Sequence, residues 1–120
     1  EDLADEGLPA QSTALLVAAV RRDYFLTTQS GKTSLKTISR DDVPSFSEAF
    51  EGLAYLPRIF AKAEAKLRGE LDPDMMFGCG GDRKFLHDNG EINLADFLRH
   101  AWAAAGDLSK VAKFVKNSTS

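Results

Sequence analysis

EGLAYLPRIFAKAEAKLRGEL, residues 51–71, sets Pro57 in the middle of a regular apolar rhythm. Phe46, Ala49, Phe50, Leu53, Leu56, Phe60, Ala63 and Leu67 recur three and four residues apart, the spacing of one helix face. A proline inside a helix removes a hydrogen bond and clashes with the carbonyl four residues back, costing roughly 3 kcal/mol, whereas the first turn tolerates it. The apolar stripe keeps its phase across Pro57. The spacing therefore predicts two abutting helices, or one sharply bent, with Pro57 opening the second half. Ser45-Phe46-Ser47-Glu48 fits a capping box that would start the first half.

Working outward, Gly69 and Asp72-Pro73 stop this element. Upstream, Ser12 offers an N-cap before a helix of about four turns, STALLVAAVRRDYFLTT, in which Leu16, Ala19, Val20 and Tyr24 form the apolar stripe. QSGKTSLKTIS reads as a loop or a short extended segment around Leu35 and Ile38, with no second strand to pair with. Downstream, a short helical turn is expected from Asp82 to His87, then the turn Asn89-Gly90. Asn93 caps LADFLRHAWAAA, Gly106 ends it, and Asp107 caps LSKVAKFVK. In that last helix Leu108, Val111 and Val115 pack, while Lys110, Lys113 and Lys116 face water. The expectation is a single all-α domain over 1–120: a small bundle of four to five helices with a proline-bent second helix and a glycine-rich loop. Residues 1–11 form an acidic arm on its surface, and 117–120 a frayed, disordered tail.

The 120 residues carry 15 Lys and Arg against 18 Asp and Glu, a net charge of −3, so there is no global basic field for nucleic acid. The apolar run Ala14 to Val20 falls short of the roughly 20 residues that span a bilayer, so no membrane insertion is expected. The single cysteine, Cys79, excludes an internal disulfide and a multi-cysteine zinc site. No cofactor is implied. The chain starts EDLADEG without Met, which suits removal of a targeting segment and residence in an organelle lumen, the bacterial cytoplasm being the alternative.

Two stretches suggest chemistry. FGCGGD, residues 77–82, combines tight-turning glycines with a thiol before a helix. Cys79, Asp82 and His87 are its candidate ligand-loop residues, with His87 a possible base for the thiol and Arg58 a fourth member of one pocket. The P-loop Lys-Ser/Thr pair is missing and no strand precedes the loop, so the glycines suit a connector between helices and a structural or buried thiol is the favoured reading. HDNGEINLADFL, residues 87–98, resembles the second half of an EF-hand loop, with Gly90 at the turn, Ile92 at the sheet contact and Asp96 closing. Phe85 and His87 occupy the places of the first carboxylates, which leaves too few hard oxygens for Ca²⁺. With His87 and His100 the only histidines, no metal site is expected. No nucleophile-elbow pattern supports a Ser-His-Asp triad. Catalytic residues are therefore none.

Positive charge is local. Lys32, Lys36 and Arg40 follow the first helix, and Arg58, Lys62, Lys66 and Arg68 line the second. These are the candidate partner-binding residues, for docking on an acidic surface of a larger protein complex.

Gly52, Leu56-Pro57-Arg58, Lys62-Ala63, Gly69, Cys79, Asp82, Phe85-Leu86, Gly90, Ile92 and Gly106-Asp107 fall in an order that resembles a small bacterial family known only as a domain of unknown function. The resemblance covers about half of the chain, between Phe50 and Val115. The family's usual Cys-Pro-Leu-Asp stands here as Cys79-Gly80-Gly81-Asp82, there is a small insertion around Glu91, and the N-terminal helix has no counterpart. It implies a shared architecture in which Pro57, Cys79 and Asp82 belong to the framework, and no reaction. In size, class and charge pattern the chain is also similar to the small helical extrinsic subunits on the lumenal side of algal photosystem II. That likeness implies a non-enzymatic docking subunit in the thylakoid lumen; the alternative is a small enzyme or ligand-binding protein using the Cys79 loop.

Overall fold

Pro57 lies in the first turn of a helix, and no helix precedes it directly. The structure, a computed structural model, describes residues 11–119. Within them run α1 (Gln11–Thr27), a 3₁₀ turn (Arg40–Asp42), β1 (Ala49–Phe50), β2 (Leu53–Ala54), α2 (Leu56–Arg68), α3 (Gly80–Asp88), α4 (Leu94–Ala104) and α5 (Leu108–Ser118). The chain is all-α apart from this small hairpin. The acidic arm lies outside the described residues except for Gln11, which is already helical. At the other end, α5 runs through Asn117 and Ser118, where a tail was expected.

The predicted helix over 46–56 is replaced by the hairpin. Glu51 and Gly52 both take positive φ, 51° and 82°, which suits a tight two-residue turn between antiparallel strands. Phe50 pairs with Leu53 and Ala49 with Ala54; the Phe50–Leu53 pair packs against the core while Ala49 and Ala54 are exposed on the other face. The expected capping box does not form: the Ser45 hydroxyl contacts Ser47, and Phe46 is exposed. Tyr55, in the left-handed region at φ 79°, turns the chain from β2 into α2. Pro57 is then admitted where its missing N–H has no helical partner to lose.

Gly69 ends α2 at φ 71°, with the Glu70 N–H reaching back to the Ala65 carbonyl at 2.9 Å. The chain leaving it does meet a partner. Ile38 forms a single parallel bridge with Leu71, tied by Ile38 N–H to the Glu70 carbonyl and Asp72 N–H to the Ile38 carbonyl. Asn93 and Asp107 cap α4 and α5 through the amides of Ala95 and Asp96 and of Ser109, as expected from their chemistry.

The central element is α4, which packs against α1, α2 and α5. Its Leu94, Ala95, Phe97, Leu98, Ala101 and Ala104 are buried with Leu56, Ile59, Phe60, Ala63 and Leu67 of α2 in one core. From α1 that core takes Val17 and Val20, with Tyr24 set edge-on to Trp102. Leu16 is exposed and Val17 is buried in its place, while Val20 and Tyr24 of the expected stripe do face the core. Among the described residues no helix is long and apolar enough to cross a membrane.

Candidate functional site

The loop between α2 and α3 closes over a buried cluster of four polar side chains. Asp82, in the first turn of α3, is 0% exposed. Burying a carboxylate is costly unless its oxygens are hydrogen-bonded, and here both are. Its Oδ1 accepts from the Tyr55 hydroxyl at 2.5 Å. Its Oδ2 accepts from Lys62 Nζ at 2.8 Å and from the Gly78 amide at 2.8 Å. The Lys62 ammonium, on α2, also donates to Cys79 Sγ at 3.4 Å, and the Tyr55 hydroxyl lies 3.9 Å from the same sulfur. Cys79, the residue that caps α3, is half-buried, as is Tyr55, whereas Lys62 and Asp82 are buried.

Local structure explains why these groups meet. The left-handed turn at Tyr55 swings its ring across to stack on Phe85, centroids 5.7 Å apart. A side chain at Gly81 would place its Cβ 2.9 Å from the Tyr55 hydroxyl, so this glycine lets the phenol reach Asp82. Burial pushes the Tyr55 hydroxyl up from its ordinary 10.0, and its bond to the charged Asp82 adds to that rise. The phenol therefore stays a donor to Asp82 throughout the neutral range.

The expected pocket is assembled only in part. Cys79 and Asp82 come together, but Arg58 donates to the Pro44 carbonyl at 3.0 Å and His87 is exposed, with Nδ1 3.7 Å from Glu91. Tyr55 and Lys62 take their places. Lys62 was expected on a basic outer face; at 2% exposure it is withdrawn from any partner, because Asp82 draws it inward. One signal was present: residues three positions away on either side, Ile59 and Ala65, are apolar, and both are fully buried. Nothing comparable marked Tyr55.

The remaining expected partner-binding cations divide. Arg68 pairs with the buried Glu70 at 2.8 Å, and Lys66 is half-buried beside Arg21. Lys32, Lys36 and Arg40 are exposed, with the Arg40 guanidinium 3.4 Å from the Asp74 carbonyl. Leu35, between the two lysines, is 99% exposed. In the half EF-hand, Asp96 is exposed and bound to Arg99 at 2.8 Å. Gly90 packs against the carbonyl of Ser118 at the end of α5. His100 stacks on Phe114. Among the described residues no group of three or more His, Cys, Asp or Glu is placed to hold a metal.

Chemically, the cluster is a closed clasp. Each oxygen of Asp82 is already occupied, and its lysine is held in an ion pair, so neither group is left as a free base. The clasp joins the hairpin exit, α2, the glycine-rich loop and α3 through side chains 20 or more residues apart. No family model, curated protein or solved structure matches the chain.

Proposed function

We propose that this chain is a non-enzymatic subunit that docks on a larger protein complex through its 28–48 segment. The observation that carries this reading is Leu35, fully exposed between Lys32 and Lys36. An exposed apolar side chain flanked in sequence by two exposed lysines has the chemistry of an interface anchor, in which the charges steer an acidic partner and the leucine is desolvated on contact. Arg40 extends the same surface, while Asp41 and Asp42 set its negative edge. Lys62, Arg58 and Arg68 are committed to partners inside the fold and take no part.

In its concrete form the reading is an extrinsic subunit on the lumenal face of photosystem II, supported by the likeness in size, helical class and charge pattern. The test is rebinding of the purified chain to photosystem II particles stripped of their extrinsic subunits. Retention at low salt, release at high salt, and loss of retention in Leu35→Ser and in Lys32→Glu/Lys36→Glu are expected. Absence of binding at every ionic strength overturns the photosystem assignment, and retention unchanged in both variants overturns the surface.

A further inference from the structure

A cleft of about 400 Å³ opens between α1, α2 and the loop before α3. Its walls are apolar, with Val17, Phe25, Phe77 and Leu94 on fixed positions and the flexible Met76 at the partly exposed rim. A second recess of about 400 Å³ shares Arg21, Lys66, Met76 and Phe77 with it. Each volume falls in the roughly 300–1,000 Å³ range of small-molecule sites.

Among the described residues the cations of this cleft have no counter-ion. Arg21 and Lys66 line both recesses, and Arg22 lines the first. Arg21 gives its Nε to the Lys66 carbonyl at 3.0 Å, which sets the guanidinium against Gly69 at the end of α2, with the Lys66 side chain lining the same recesses. Among the described residues none of the three forms an ion pair. Burial first, and the Arg21 charge second, hold the Lys66 amine below its ordinary value. Among the described residues the one acid that lines either recess is Asp72, whose Oδ1 accepts from the Asp74 amide.

We propose that this cleft binds a small amphipathic carboxylate, its head between Arg21 and Lys66 and its hydrocarbon tail along Val17, Phe25, Phe77 and Leu94. A single negative charge suffices to relieve the repulsion between the two cations. The Asp72 carboxylate disfavours a polyanion such as phosphate. Met76 adapts to tails of different length, as unbranched methionine does at variable apolar surfaces. The site is separate from the docking surface and stands whether or not that reading holds.

The test is calorimetric titration of the full chain with dodecanoate below its micelle concentration, alongside dodecanol, acetate and inorganic phosphate. Saturable one-to-one binding of dodecanoate, with dodecanol and acetate each at least about tenfold weaker, is expected from loss of the charged contact or of the tail. Lys66→Met keeps the stem and removes the ammonium; it should weaken dodecanoate about tenfold, as should Arg22→Gln to a smaller degree. Lys113→Met, on the exposed face of α5, should change nothing. Dodecanol binding as tightly as dodecanoate would show a plain apolar groove that accepts a partner's side chains, and phosphate or acetate binding as tightly would show a simple anion site. Either result, or dodecanoate binding that is absent or indifferent to both variants when circular dichroism shows them folded, overturns the proposal.

Discussion

Replacing Asp82 by Asn keeps the shape of the side chain and reverses its electrostatics. In Asp82→Asn the amide oxygen can still accept from Tyr55. The amide nitrogen, however, now faces two donors that the carboxylate held at 2.8 Å, the Lys62 ammonium and the Gly78 N–H. The ammonium, 2% exposed, is left with no counter-charge. Removing one partner of a buried ion pair costs about 3–5 kcal/mol. Against the roughly 5–15 kcal/mol that holds a domain folded, this is a large fraction. At about 4 °C per kcal/mol for a domain of this size, the midpoint of thermal unfolding should fall by roughly 12–20 °C. Lys62→Met should cost less, about 2–3 kcal/mol, because Tyr55 and Gly78 still serve the carboxylate. Urea unfolding of both single variants and of Lys62→Met/Asp82→Asn closes the cycle. The double variant should be at least about 1 kcal/mol more stable than the sum of the single losses predicts. A cost below about 1 kcal/mol for Asp82→Asn, or single losses that simply add, would refute the clasp.

Three further outcomes follow from the same geometry. Gly90 sits at φ 107°, and a Cβ there would clash with the Ser118 carbonyl oxygen; Gly90→Ala should cost at least about 2 kcal/mol, measured by urea unfolding. Gly106, at φ 89° with nothing within 4 Å, should cost about half as much, and equal costs would deny the packing of α5 on the Asn89-Gly90 turn. Burial alone would raise the Glu70 carboxyl, but bonds from Arg68 and Ser34 hold it below its ordinary 4.5. A depressed carboxyl stabilises the fold above its unfolded value and loses that contribution as pH falls through the folded one, so stability should drop below pH 4.5, and less steeply in Glu70→Gln. Tyr55 is the opposite case: its raised hydroxyl contributes fully below its unfolded value of 10.0 and loses that contribution as pH rises above it. Tyr55→Phe should therefore cost about 1.5–3 kcal/mol at neutral pH and flatten the alkaline limb, both read from unfolding curves across pH.

The helix ends were legible because each depends on bonds within one turn. Asn93 and Asp107 cap their helices through amides two or three residues away, and Gly69 needs only its own freedom at positive φ. Residues 46–53 were misread because Phe46, Ala49, Phe50 and Leu53 satisfy a period of 3.6 as a list, while the chain folds back on itself and sets Phe50 opposite Leu53. Glu51 and Gly52 carry the turn that decides between them, and Glu-Gly is a weaker hairpin signal than Asn-Gly or Asp-Gly. The half of the candidate site that was visible, Cys79 and Asp82, stood out by residue type in a glycine-rich loop.

By itself, then, the sequence determined the all-α class, the Gly69 stop and the Asn93 and Asp107 caps, and the apolar stripe of α2, all of them properties of neighbours along the chain. Only the tertiary structure decided that Val17 and not Leu16 faces the core, that Ile38 bridges to Leu71, and that Lys62 turns inward. A lysine on a helix is read as solvated because burying its charge alone is prohibitive. What reverses that reading is a carboxylate 20 residues away, carried to 2.8 Å by the packing of two other elements. No local pattern encodes that pairing, since its energy exists only once the core has closed and excluded water from both charges.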